Sequence, residues 1–148
     1  MPADLTTWAY FDTSALVKCY VEEQGTAEAM SLVRRHAVLS SILAPIELTG
    51  ALRRQQAGGA LTRRQRDQVL LRFQADRAQW TLLEMDVHVL ARAEALVGAA
   101  PVKTLDALHL ASALVFQSET SLHPPFITGD VQQRRAADAL GLDVVFVG

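Results

Sequence analysis

Short apolar runs alternate along this chain with stretches of helical period. Trp8-Ala9-Tyr10-Phe11 predicts a buried strand that ends at Asp12. A helix is expected from about Ser14, with Ala15, Leu16, Cys19 and Tyr20 available for one face. Ala37-Val38-Leu39 predicts a second, short strand. Ser40 or Ser41 can then start a helix that runs to Ala57 and stops at Gly58-Gly59. Pro45 falls near its first turn, where a missing N–H costs least. Thr62-Arg63-Arg64-Gln65 has capping-box spacing and opens an amphipathic helix carrying Val69, Leu70, Phe73 and Trp80. Thr81 to Met85 is a third strand, and Asp86 is placed to cap a Val87–Val97 helix. Thr104 is expected to cap a helix from Leu105 to about Gln117, in which Leu108, Ala111 and Val115 recur at helical spacing. Pro125 to Thr128 is a fourth strand. Asp130 caps a helix that Gly141 ends, and Leu142 to Val147 is a fifth strand.

Strands separated by helices imply parallel pairing, right-handed crossovers and helices on both faces. The expected fold is therefore α/β, with a five-stranded parallel sheet in a three-layer α/β/α arrangement. Neither an internal repeat nor a linker divides the chain, so residues 1–148 are expected to form one domain. In such sheets ligands bind beyond the carboxyl ends of the strands. Polar residues just past a strand, or early in the next helix, are therefore the ones to weigh.

Composition narrows the class. Half of the 148 residues are apolar, which excludes intrinsic disorder and supplies a core that needs no disulfide. Cys19 is the only cysteine, so an internal disulfide and a multi-cysteine zinc cage are excluded. No apolar run approaches the roughly 20 residues that span a bilayer, and the first ten residues lack a basic signal-peptide start. The expectation is a cytoplasmic globular protein. Its net charge of −2 rules out binding to nucleic acid through the overall field. The distribution says more. Between Gly50 and Trp80, seven arginines (53, 54, 63, 64, 66, 72 and 77) face only Asp67 and Asp76, a local balance of +5. Composition leaves two readings open for this segment: a solvated helical surface, or a basic flank for a polyanion with Arg63 and Arg64 as substrate-binding candidates.

Four carboxylates occupy the positions that the ligand rule singles out. Asp12 follows the first strand directly and Asp130 follows the fourth by one residue. Glu47 and Asp106 lie in the early turns of two helices. Taken singly, Asp106 and Asp130 could simply complement helix N-termini, and Glu47 could be a surface residue. Taken together they are a constellation. Two carboxylates about 5 Å apart repel by roughly 3 kcal/mol at an effective dielectric near 20. Such a cluster must protonate or hold a cation, and all-oxygen ligands suit Mg²⁺, with Mn²⁺ as a substitute. Metal-assisted phosphodiester hydrolysis is the chemistry this arrangement suggests.

Four short segments carry a family resemblance. Phe11-Asp12-Thr13-Ser14-Ala15-Leu16-Val17-Lys18 resembles the opening motif of PIN-domain ribonucleases, and Ile46-Glu47-Leu48-Thr49-Gly50-Ala51-Leu52 their second acidic motif. Thr104-Leu105-Asp106-Ala107-Leu108-His109-Leu110-Ala111 is similar to the third motif, and Phe126-Ile127-Thr128-Gly129-Asp130 to the fourth. The order matches, and within the family the chain most resembles a VapC-type toxin of a bacterial toxin–antitoxin pair. The resemblance implies a Mg²⁺-dependent endoribonuclease that acts on RNA, forms a homodimer and is occluded by a small cognate antitoxin. It implies Asp12, Glu47, Asp106 and Asp130 as catalytic metal ligands, with Thr13, Ser14 and Thr128 as hydroxyls supporting them. Ser14 has an equal reading as the cap of the first helix. Two departures stand out: Lys103 precedes the third motif where Arg is frequent, and Gly129 replaces a residue that is often bulky.

Other side chains near the motifs have plainer readings. His109 lies three residues after Asp106 on the same helical face and reads as a packing histidine rather than a ligand or base. Lys18 reads as a solvated lysine. An aspartyl-phosphate phosphatase would want a second Asp where Ser14 stands. Two non-enzymatic alternatives are a catalytically silent PIN-like RNA-binding scaffold and a receiver-like switch. The receiver wants a lysine after the last strand, where only Val147 and Gly148 follow.

Overall fold

A computed structural model describes residues 7–148. Among these residues five strands are interspersed with seven helices: β1 (Trp8–Phe11), α1 (Thr13–Val17), α2 (Thr26–Arg35), β2 (Ala37–Ser41), α3 (Ala44–Ala57), α4 (Arg63–Arg77), β3 (Thr81–Leu83), α5 (Val87–Ala99), α6 (Thr104–Thr120), β4 (Phe126–Thr128), α7 (Val131–Ala139) and β5 (Val144–Phe146). The sheet order is β3-β2-β1-β4-β5, and every pairing is parallel. β1 therefore lies in the middle, with Ala9 opposite Val38 on one side and Phe11 opposite Ile127 on the other.

Period-two alternation along β1 divides the core into layers. Tyr10 points to the face covered by Leu110, Ala111 and Phe116 of α6, Val89, Ala93 and Leu96 of α5, and Ala137 of α7. Ala9 and Phe11 point to the opposite face, against Ala15 and Leu16 of α1, Ala29 and Leu32 of α2, and Ala44 of α3. The three-layer α/β/α arrangement expected from the sequence is the one observed. α4 lies outside these layers. Phe73 is its one fully buried side chain, packed with Tyr20, Val21, Leu48 and Leu52.

Three local signals resolve differently in the fold. The helix expected from Ser14 stops at Val17, and α2, which the apolar pattern did not reveal, begins after Gly25. Gly25 sits at φ +89°, and a Cβ there would come within 2.3 Å of the Val147 carbonyl oxygen. Only glycine accepts both that backbone conformation and that close approach. Ser40 and Ser41 belong to β2 rather than to a helix start. Ser40 Oγ donates to the Phe11 carbonyl at 2.6 Å, tying β2 to β1, while Ser41 Oγ accepts from Leu43 N at 3.1 Å in the turn before α3. Lys103 rather than Thr104 holds the N-cap position of α6. Elsewhere the caps fall as expected. Thr62 and Gln65 form the reciprocal capping box of α4, Asp86 caps α5 and Asp130 caps α7.

Candidate active site

The polypeptide leaves the sheet at β1 through Asp12, whose side chain caps α1 by accepting from Ala15 N at 3.3 Å. Asp12, and not Ser14, is thus the cap. Its carboxylate is almost fully buried, at 4% exposure, and three donors hold it in place. Ser14 Oγ donates to Oδ1 at 2.5 Å and Thr128 Oγ1 donates to Oδ2 at 2.7 Å. Thr128, the last residue of β4, also accepts from Asp130 N at 3.1 Å. Ser14 Oγ in turn accepts from Gly129 N at 2.9 Å. The β1–α1 and β4–α7 turns are therefore stitched together around one carboxylate.

Asp12, Thr13, Ser14, Glu47, Asp106 and Asp130 line a single cleft of about 210 Å³ beyond the carboxyl ends of β1 and β4, together with Val17, Ala51, Arg54 and His109. All four carboxylates singled out in the sequence are on its wall. So are Thr13 and Ser14, while Thr128 lies fully buried beneath Asp12. Arg63 and Arg64 are elsewhere, on the exposed first turn of α4.

A chain of hydrogen bonds fixes Glu47 from below. Its Oε1 takes the Thr13 hydroxyl at 2.9 Å and approaches His109 Nε2 at 2.7 Å. His109 Nδ1 lies 2.8 Å from the Tyr10 hydroxyl. Burial pushes Tyr10 well above the ordinary phenol value, so it keeps its proton and donates to Nδ1. Nε2 then carries the imidazole proton toward Glu47, a tautomer assigned from the network. His109 is buried, as its packing role required, but it also holds a site carboxylate. Neither that bond nor the Tyr10 contact was visible in the sequence. The only signal was the helical spacing of His109 from Asp106.

The electrostatics is that of crowded, poorly solvated carboxylates. Burial raises the Asp12 carboxyl above its ordinary value, against the nearby His109 ring and the bonds from Ser14, Thr128 and Ala15. Asp106 is also raised, first by burial and then by the negative charges of Asp130 and Asp12. Among the described residues no three His, Cys, Asp or Glu side chains already converge as a ready-made metal cage. The donor set nevertheless fits a hard divalent cation. Apart from Arg54 at the rim, the polar groups facing the cleft are oxygen donors and one imidazole, and a cation there would relieve the repulsion from Asp130 and Asp12 that adds to burial in raising Asp106.

Lys18 is not the solvated lysine expected. It is 8% exposed, and its Nζ donates to the Gln24 carbonyl at 2.7 Å and pairs with Glu23 at 3.2 Å. Its stem also accounts for Gly129. A Cβ at that position would come within 2.4 Å of Lys18 Cε, so the space a bulky residue would fill is occupied by Lys18.

Comparison with known proteins gives consistent matches. The family model described as PIN domain matches residues 9–139. A search of curated proteins returns no match. Among solved structures, the chain is similar to a toxin–antitoxin complex from Klebsiella pneumoniae, with 16% identity and a TM-score of 0.67 over 95% of this chain and 98% of that one. It is similar to VapBC2 from Rickettsia felis bound to a DNA fragment from its promoter, with 10% identity and a TM-score of 0.64 over 95% and 98%. FitAcB from Neisseria gonorrhoeae aligns with 16% identity and a TM-score of 0.66 over 92% and 95%. At such identities the likeness is one of fold.

Proposed function

Because the chain belongs to the PIN-domain family, we propose that it is a divalent-metal-dependent endoribonuclease and the toxin of a VapC-type toxin–antitoxin pair. The observation that carries this reading is the gathering of Asp12, Glu47, Asp106 and Asp130 around one cleft. These four would hold Mg²⁺ or Mn²⁺. When bound, such an ion supplies an acidified water and stabilises negative charge on a phosphodiester. The chain's own residues do the positioning. Ser14 and Thr128 hold both oxygens of Asp12, and Thr13 and His109 hold Glu47. Burial of Asp12 keeps water from screening its charge.

The solved structures aligned above include toxin–antitoxin complexes, which supports an antitoxin partner for this chain. An acidic cleft of this size suits a cationic side chain, and an antitoxin Arg seated there would compete with metal. A homodimer, as the resemblance implies, is part of the proposal.

The test is cleavage of a panel of structured RNAs by the purified protein with Mg²⁺ and with chelator. Wild type is expected to cut only with metal, and Asp12→Asn and Asp106→Asn to remain folded and inactive. Wild-type rates in either variant, or cleavage in chelator, would overturn the assignment.

A further inference from the structure

A second cleft lies at the far end of α3, and its chemistry is opposite to that of the first. Arg53, Gln56 and Ala57 of α3 and Arg63 and Arg66 of α4 line a space of about 380 Å³ that no acidic side chain enters. Arg53 and Arg63 are exposed and have no ion-pair partner among the described residues. Arg66 is held rigidly. Its Nη1 donates to Gln56 Oε1 at 2.6 Å and its Nη2 to Asp67 Oδ1 at 3.0 Å. Its Nε is buried without a hydrogen-bond partner among the described residues. Three guanidinium groups, two of them without a carboxylate partner among the described residues, line this one space and give it the charge to hold an anion.

The position of this cleft matters as much as its charge. Glu47, Ala51 and Arg54 line the first cleft from one face of α3, and Arg53, Gln56 and Ala57 line the second from the neighbouring face near its end. Ten residues of helix separate Glu47 from Ala57, about 15 Å at the usual rise. Arg54, exposed on the rim of the first cleft, stands between the two ends.

We infer that this arginine cleft binds the phosphodiester backbone of the RNA substrate a few nucleotides from the scissile bond. The inference rests on the nuclease reading for its ligand, but it concerns different residues. The strand would leave the carboxylates past Arg54 and turn across α3 to its next face, where Arg53, Arg63 and Arg66 would hold a further phosphate. Such contacts position the strand and read no base.

The experiment measures binding of a fluorescent single-stranded RNA of about 12 nucleotides in chelator, where nothing is cut, across a salt series. Wild type is compared with Arg53→Glu, Arg63→Glu and Arg66→Gln. Arg92→Glu, an equal charge change on the exposed surface of α5, is the control. Arg53 and Arg63 are exposed, so their variants test the cleft even if Arg66→Gln fails to fold. Arg63→Glu is expected to weaken binding about tenfold and to lower the salt slope by about one, with Arg92→Glu close to wild type. Equal weakening by Arg63→Glu and Arg92→Glu assigns binding to the overall field and overturns the inference. Unchanged RNA affinity with lost binding of a polyglutamate peptide overturns it in favour of an acidic protein partner. Cleavage assays on the same proteins separate the two readings. Metal-dependent cutting that ignores these arginines sinks only the cleft, and cleft-dependent binding without cutting sinks only the nuclease.

Discussion

Burial of Asp12 favours its protonated form, and in the metal-free protein this has a defined sign. The unfolded carboxyl titrates near 4, and the folded one is raised above that by desolvation. Its contribution to stability is complete below the unfolded pKa and is lost as pH rises through the folded pKa. Asp12→Asn mimics the protonated form. In chelator the variant should match wild type near pH 4 and melt progressively higher than wild type toward neutral pH. Thermal melts across that range check it, and a difference that does not vary with pH would show that Asp12 is not destabilised by its charge. Tyr10 offers a second test. Tyr10→Phe removes the donor to His109 Nδ1 and leaves a buried imidazole nitrogen unmet, at about 1–3 kcal/mol. With Glu47 less firmly held, kcat should fall several-fold with KM unchanged. Unaltered kcat would mean that Thr13 alone positions Glu47. At this scale the sequence was legible wherever a residue's role follows from its neighbours in the chain. Asp12 ends an apolar run, and Asp130 starts a helix. The Tyr10–His109–Glu47 contacts join residues 99 and 62 positions apart, and no local pattern encodes them. The reason for Gly129 was hidden because Lys18, which fills the space beside it, lies far off in sequence.

Among the helices, legibility followed how each is stabilised. α4 and α5 announced themselves through side-chain caps, and α6 through the period of its buried face. α2 did not, because it starts at a glycine whose role is to clear the Val147 carbonyl, a contact made across the molecule. Ser40 and Ser41 carry a helix-start signal that is overruled by burial, since Ser40 serves the Phe11 carbonyl instead. α4 is the element most sensitive to a single change. Phe73 sits between Tyr20 and Trp80, with ring centroids 5.9 and 5.6 Å away. Phe73→Ala should cost about 3–5 kcal/mol, with amide exchange rising in α4 far more than in α6. Uniform loss of protection would show that α4 unfolds only with the whole domain.

For the molecule as a whole, folding without metal gathers four carboxylates whose charges oppose one another. A divalent ion held as proposed would bind the folded site and not the dispersed chain. At about a hundred times its dissociation constant, Mg²⁺ should add roughly 2.7 kcal/mol. The gain should grow from mildly acidic to neutral pH and shrink in Asp12→Asn. Melting temperatures with and without Mg²⁺ at fixed ionic strength measure it, and a metal-independent value throughout would mean that these residues form no metal site. The strand order has a further consequence, which concerns time. The central strand gains its second neighbour only when Tyr10 and Phe11 meet Phe126 and Ile127, and the same late segment brings Thr128 and Asp130. Ribosomes make chains from the amino end, so every nascent length short of residue 130 lacks one carboxylate, and every length short of 128 also lacks the Thr128 donor to Asp12. A chain stopped before Phe126 should cut no RNA in a cell-free translation. On the nuclease reading proposed above, the growing polypeptide would be harmless to the machinery that makes it, and early termination would release no active fragment.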